Sequence, residues 1–219
     1  MDLEPLHTRL TQAIGGHDWW RADGPLEVIA GAMLTQQTTW GSVEVAIRNL
    51  KERKLMNLEG LAGAPLEVLE ECVRPTGFYR VKATRLQTMA RHILYRHGSL
   101  SEFLSTEGTR LRQSLLSMSG VGLETADSIL LYAVGLPFLV VDTYTRRIME
   151  RLGMALPRDY EEARRRLEEA VPRGVESYRE FHALMVELGK QYCRPRPRCA
   201  PCPLLDLCPH GMKVVRGDG

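Results

Sequence analysis

The 219-residue sequence has no run of eighteen apolar residues, so no membrane-spanning helix is expected. Its opening, MDLEPLHTRL, has no basic head followed by an apolar stretch, so no secretory leader is expected. A cytoplasmic address follows, at the nucleoid if the cell is prokaryotic. Charge of neither sign dominates: 29 Lys and Arg against 27 Asp and Glu leave a net +2. That neither demands nor excludes nucleic acid, because a local patch outweighs the total. Apolar–polar alternation is almost missing, which argues against a sheet protein. Internal repeats and low-complexity segments are missing as well. What remains, with 44% hydrophobic residues, is a globular chain able to bury a core in one domain or two small ones.

Apolar residues recur at three- and four-residue spacing. Leu26, Ile29, Ala30 and Met33 share one helical face; so do Val43, Ala46, Ile47 and Leu50, and again Leu86, Met89, Ile93 and Leu94. The segments EEARRRLEEAV and YREFHALMVELGKQYC add two more helices. Gly41, Pro75, Gly77, Gly98, Gly120, Gly135 and Pro157 punctuate them. The one strand-like stretch, PFLVV, is short and reads as an extended linker. The expectation is an all-α chain of about ten helices.

Positive charge gathers in three places: Arg146, Arg147 and Arg151; Arg164, Arg165 and Arg166; and Arg194, Arg196 and Arg198. The middle group alternates with acids and reads as a solvated helix face. The last lies among cysteines. Cys193, Cys199, Cys202 and Cys208 fall within sixteen residues, with five, two and five residues between them. Disulfides need an oxidising compartment. Zinc accepts four thiolates, although this spacing differs from a pair of Cys-x-x-Cys knuckles. A [4Fe–4S] cube also suits four thiolates in one compact loop. Cys72 stands alone and reads as a buried packing residue.

Two further features carry chemistry. In LLSMSGVGLETADSILLYA, Gly120, Val121 and Gly122 form a tight turn between apolar helices, where glycines let a backbone approach a phosphate. In VVDTYTRRIMERLG, Asp142 reads as an N-cap worth about 1 kcal/mol. A carboxylate there is also kept ionised by the helix dipole, and so could act in catalysis.

With the cysteine loop, the hairpin and Asp142 together, the sequence resembles the endonuclease III family of DNA glycosylases, in the helix-hairpin-helix superfamily, over nearly its whole length. The family's cysteine loop has the spacing Cys-x6-Cys-x2-Cys-x5-Cys and holds a [4Fe–4S] cluster; here the first gap is one residue shorter. The resemblance implies an all-α fold of two helical lobes around a DNA-binding cleft. Residues 22–135 would form one lobe, ending in the helix-hairpin-helix at about 112–134. Residues 1–21 and 136–219 would form the iron–sulfur lobe. It implies a monomer acting on double-stranded DNA that carries a damaged base. Gly120, Val121 and Gly122 would grip a phosphate, as would Arg194, Arg196 and Arg198. Gln37 would plug the hole left by the extruded nucleotide, and Phe78 or Tyr79 would be the wedge, although either aromatic could equally be core. Asp142 takes the place of the family's catalytic aspartate.

Glu124 stands where the lyase branch of the family has its Schiff-base lysine. A glutamate cannot form that adduct, so base release without strand cleavage is expected. Glu124 reads either as a solvated first-turn acid or as a second carboxylate that positions water. A different lysine, such as Lys82, would be needed for lyase activity. The rival to an enzyme is a non-catalytic iron–sulfur DNA-binding protein. Trp19, Trp20 and Trp40, in WW…LTQQTTW, read as packing residues or, by similarity to the 3-methyladenine subgroup, as an aromatic pocket for a cationic base. That subgroup does not generally carry the cysteine loop. An alkylated purine is placed ahead of an oxidised pyrimidine.

Overall fold

The computed structural model describes residues 2–15 and 22–217. Among these, thirteen α-helices and no strand occur: α1 Glu4–Ile14, α2 Pro25–Leu34, α3 Trp40–Glu52, α4 Leu58–Gly63, α5 Leu66–Val73, α6 Tyr79–His97, α7 Leu100–Leu104, α8 Gly108–Leu116, α9 Leu123–Ile129, α10 Thr143–Arg151, α11 Tyr160–Glu168, α12 Val175–Gln191 and α13 Pro209–Arg216. The all-α expectation holds. None of these helices is long and apolar enough to cross a membrane. The chain divides into two bodies, Ala22–Leu136 and Met1–Arg21 with Pro137–Gly219.

In the first body α2 is the central element. Pro25 opens it, and every residue from Val28 to Leu34 is buried. It meets α3, α6 and α9. Around it, Val43, Ala46, Ile47 and Leu50 on α3 and Leu86, Met89 and Ile93 on α6 turn inward as their spacing requires, while Leu94 is only half-buried. The short helices α4 and α7 are set by side-chain caps: Asn57 accepts from Gly60 N–H at 2.7 Å, and Ser99 from Glu102 N–H at 3.1 Å. The helix before the hairpin begins at Gly108, not near 112, because Glu107 accepts from the Thr109 and Arg110 amides at 3.0 and 3.1 Å. After α9 the chain widens into a π turn over Leu130–Val134 and stops at Gly135.

In the second body α12 is the spine and packs against α1 and α10. Tyr178, Phe181 and Met185 are buried along it. PFLVV runs extended. Side chains satisfy two of its amides: Glu168 accepts from Leu139 N–H at 3.2 Å, and the Tyr160 hydroxyl from Val141 N–H at 3.4 Å. Of the three arginines on α11, Arg165 and Arg166 are exposed. Arg164 is largely covered, pairs with Glu161 and Glu168, and lies over the Phe138 ring at 5.4 Å. The solvated-face reading therefore fails for that arginine, because its partners lie at i−3 and i+4 and hold it down. Cys72 is buried, and burial pushes its thiol up.

Candidate active site

Within the Ala22–Leu136 body, the hairpin turn Ser117–Gly122 joins α8 to α9. Gly120 has φ +84°, and a Cβ there would collide with the Arg85 side chain, so this position requires glycine. Gly122 differs: its backbone is extended, and a Cβ would meet nothing within 4 Å. Its small size keeps the approach open instead of relieving strain. No side chain caps α9. Val121 is buried and anchors the turn. The two helices are bolted by Arg112, whose Nε and Nη2 donate to Asp127 at 2.6 and 3.1 Å, with Asp127 fully buried. Glu124 is the second residue of α9, exposed and in the first turn, where the helix dipole favours an acid.

Gln37 lies in the corner between α2 and α3, and Phe78 caps α6. Both hold left-handed backbone conformations, φ 53° and 46°, and both are exposed, Phe78 by 68%. Among the described residues only Lys54 shares that property outside glycine. Such backbone costs on the order of 1–3 kcal/mol per residue and clusters at functional sites. Tyr79 is different: it lies flanked by Arg74 at 4.6 Å and Arg80 at 5.7 Å. Phe78 is thus the aromatic that projects. Trp40, the first residue of α3, donates to Glu44 at 3.1 Å and is partly exposed. Trp19 and Trp20 lie outside the described residues.

Lys82 is not placed to act as a nucleophile. It is 4% exposed, and its amine donates to the Leu34 carbonyl at 3.0 Å and the Thr76 carbonyl at 2.8 Å. Burial, helped by the Arg85 charge, lowers its pKa, but those carbonyls occupy the amine.

In the other body, Asp142 is the N-cap of α10 and accepts from Thr145 N–H at 2.7 Å. It is buried, and Nε2 of the equally buried His182 on α12 lies 3.6 Å from its second oxygen. Burial alone would push this carboxyl up. His182 and the Thr145 amide outweigh it, and the carboxyl lies below the usual carboxylate range. The result is a buried carboxylate kept charged without a fixed cation such as arginine. His182 gave no sequence signal, because a histidine in an apolar helical pattern reads as an ordinary core residue.

Farther along α10, Arg147 donates to the Cys193 carbonyl at 2.8 Å. Arg151 donates to the Cys193 sulfur at 3.2 Å and to the Arg194 and Pro195 carbonyls at 2.6 and 3.1 Å. Two arginines of the first cluster therefore hold the cysteine loop onto the helix that carries Asp142. Arg194, Arg196 and Arg198 are exposed. Cys193, Cys199, Cys202 and Cys208 line one small cavity together with Arg151. Among the described residues no cysteine group converges as a single ion would require. Burial, and then the neighbouring sulfurs, push the Cys199 and Cys202 thiols up. The shorter first gap is closed by the Arg194 and Arg198 amides, each donating to the Tyr192 carbonyl at 2.9 Å.

Residues 30–173 match the family model described as HhH-GPD superfamily base excision DNA repair protein. A protein of Methanocaldococcus jannaschii that carries the name of a DNA repair glycosylase is 42% identical over 206 residues, covering 93% of this chain and 94% of its own. A solved endonuclease III–DNA complex superposes with TM-score 0.84 at 27% identity, covering 98% of this chain and 97% of the other. A 3-methyladenine DNA glycosylase of H. pylori, bound to 1,N6-ethenoadenine, superposes with TM-score 0.75 at 30% identity, covering 87% and 98%. A hairpin that opens onto an uncapped helix, a charged buried aspartate at the head of another, and these likenesses lead to one assignment: the chain belongs to the HhH-GPD superfamily of base excision DNA repair proteins and is a DNA glycosylase of the endonuclease III type.

Proposed function

We propose that this glycosylase releases an alkylated purine from double-stranded DNA and leaves an intact abasic strand. The observation that carries the reading is Asp142, buried at the head of α10, with the Thr145 amide donating to one oxygen at 2.7 Å and His182 Nε2 3.6 Å from the other. As the N-glycosidic bond breaks, positive charge builds at C1′ of the sugar. A fixed carboxylate stabilises that charge, or takes the proton of the attacking water. Strand cleavage needs an amine instead. Glu124 cannot form a Schiff base, and the Lys82 amine is buried against two carbonyls. Gly120, Val121 and Gly122 take a phosphate of the duplex, Gln37 fills the vacated position, and Phe78 wedges the stack. Trp40, partly exposed at the start of α3, is the described tryptophan able to stack on a cationic purine. The likeness to the 3-methyladenine enzyme supports an alkylated purine.

Cys193, Cys199, Cys202 and Cys208 line one cavity, and four thiolates in one compact loop suit a [4Fe–4S] cluster. When bound, such a cluster supplies four metal–sulfur bonds that fix the loop. Arg147 and Arg151 hold that loop on α10, and Arg194, Arg196 and Arg198 stand exposed on it for DNA phosphates.

The test is single-turnover assay of duplexes carrying 3-methyladenine, hypoxanthine or thymine glycol, with and without alkali. Free base from the alkylated purine, with nicks only after alkali, is expected. Efficient nicking and borohydride trapping by the native protein would refute the monofunctional reading. Preference for thymine glycol would reassign the base.

A further inference from the structure

Gln37, Phe78 and Gly120 belong to three separate loops, and nothing in their local sequence fixes the spacing between them. We propose that Gln36, Lys82 and Arg85 form a bracket that holds these three loops in one register, so that plug, wedge and phosphate grip meet the duplex as a unit. All lie in the Ala22–Leu136 body. Lys82, in the first turn of α6, reaches the carbonyl of Leu34, the last residue of α2 before the Gln37 corner, at 3.0 Å. It also reaches the carbonyl of Thr76, two residues before Phe78, at 2.8 Å. Arg85, on the same face of α6, lies over Gly120 and donates to Gln36 Oε1 at 3.3 Å. Gln36 in turn donates from Nε2 to the Gly120 carbonyl at 2.7 Å and reaches the Thr125 hydroxyl at 3.4 Å. The bracket runs wedge turn, Lys82, plug corner, Gln36, hairpin, with Arg85 bracing its last joint.

Fold alone does not ask for this chemistry. A 4%-exposed position on α6 would be filled at least as well by an aliphatic side chain, and burying an ammonium is costly. Here the ammonium is spent on two loop carbonyls. Gln37, three residues after Leu34, and Phe78, two after Thr76, sit in left-handed conformations that an unheld loop would relax. Extrusion of a nucleotide needs plug and wedge to enter together while the phosphate is held, so a fixed spacing carries binding at the hairpin into opening of the stack. Gln36, Lys82 and Arg85 are positioning residues. The assignment rests on the reading that Gln37 and Phe78 enter the duplex.

The experiment uses the full-length protein and a duplex with 2-aminopurine beside the lesion, whose fluorescence rises when the stack opens. Lys82→Met and Gln36→Met are expected to lower the extrusion signal at saturating protein by about tenfold, with undamaged-duplex affinity within about twofold of native. Amide exchange should quicken in the loops of Gln37 and Phe78. In a Gln37→Ala/Phe78→Ala background the bracket substitutions should add nothing, because they act only through those residues. Native extrusion by both bracket variants, or full additivity in that background, would overturn the proposal. If Lys82→Met does not fold, Gln36→Met, at a half-buried site, decides alone. If Gln37→Ala/Phe78→Ala itself extrudes normally, the insertion reading falls and the bracket falls with it, a result distinct from the other two.

Discussion

At the scale of single residues, the proposed catalytic role of Asp142 can be separated from its role as the cap of α10. Asp142→Asn keeps an oxygen to accept from the Thr145 amide, so the cap survives while the charge is lost. Base release in single turnover should fall by about 10²–10⁴, with the thermal midpoint little changed. Full activity in that variant would leave Asp142 a cap and nothing more. His182 makes a second, independent prediction. Asp142 has a folded-state pKa below its unfolded value, so its contribution to stability is present above about pH 3.9 and is lost as pH falls through the lower folded value. The rate of base release should therefore persist below the ordinary carboxylate range. In His182→Gln the partner is gone and burial dominates, which pushes the carboxyl up. The acid limb of the pH–rate profile should move upward, and superimposable profiles would remove His182 from the site. Asp142 was legible in VVDTYTRRI, since an aspartate opening a helix is a sequence pattern. His182 was not, because only the packing of α12 against α10 brings the two together.

At the scale of elements, the hairpin separates its two glycines. Gly120→Ala puts a side chain at φ +84° and against Arg85, and should cost about 1–3 kcal/mol in urea unfolding. Gly122→Asp meets open space with ordinary backbone, so its stability should stay within about 0.5 kcal/mol of native. It should nonetheless weaken binding to damaged and undamaged duplexes alike, because it places a negative charge at the grip. Unchanged affinity would take Gly122 out of the interface. The Gly-x-Gly pattern announced a turn, but which glycine is under steric constraint depended on Arg85 of another helix. The same limit applies to Lys82. An isolated lysine in a sequence reads as a candidate nucleophile, and only the positions of Leu34 and Thr76 turn it into a strut. Long amphipathic helices such as α3 and α6 were readable from their period. Helices of five to eight residues, such as α4, α5 and α7, show too few turns for a period and are fixed by Asn57, Pro65 and Ser99 at their starts.

At the scale of the whole molecule, a net charge of +2 cannot draw in DNA by itself, so affinity must come from local groups. Arg196 and Arg198 are exposed on the cysteine loop, and the loop is held by Arg147 and Arg151 from α10. If each exposed arginine meets one phosphate, Arg196→Ala/Arg198→Ala should lower the slope of log affinity against log salt by about 2, equally for damaged and undamaged duplexes. A cysteine that anchors the loop should then matter to binding without touching DNA. Cys202→Ser removes one of the four sulfurs, and the protein should lose iron, unfold at lower temperature, and show a salt slope close to that of the double arginine variant. On the proposed reading, in which the loop's arginines dock DNA and Asp142 serves the reaction, its rate of base release at saturating enzyme should change far less than that of Asp142→Asn. Iron content, thermal melting and fluorescence anisotropy across a salt series read all three quantities on one preparation. A Cys202→Ser protein with the native salt slope would separate the cysteine loop from DNA binding and leave it a purely structural clasp on α10.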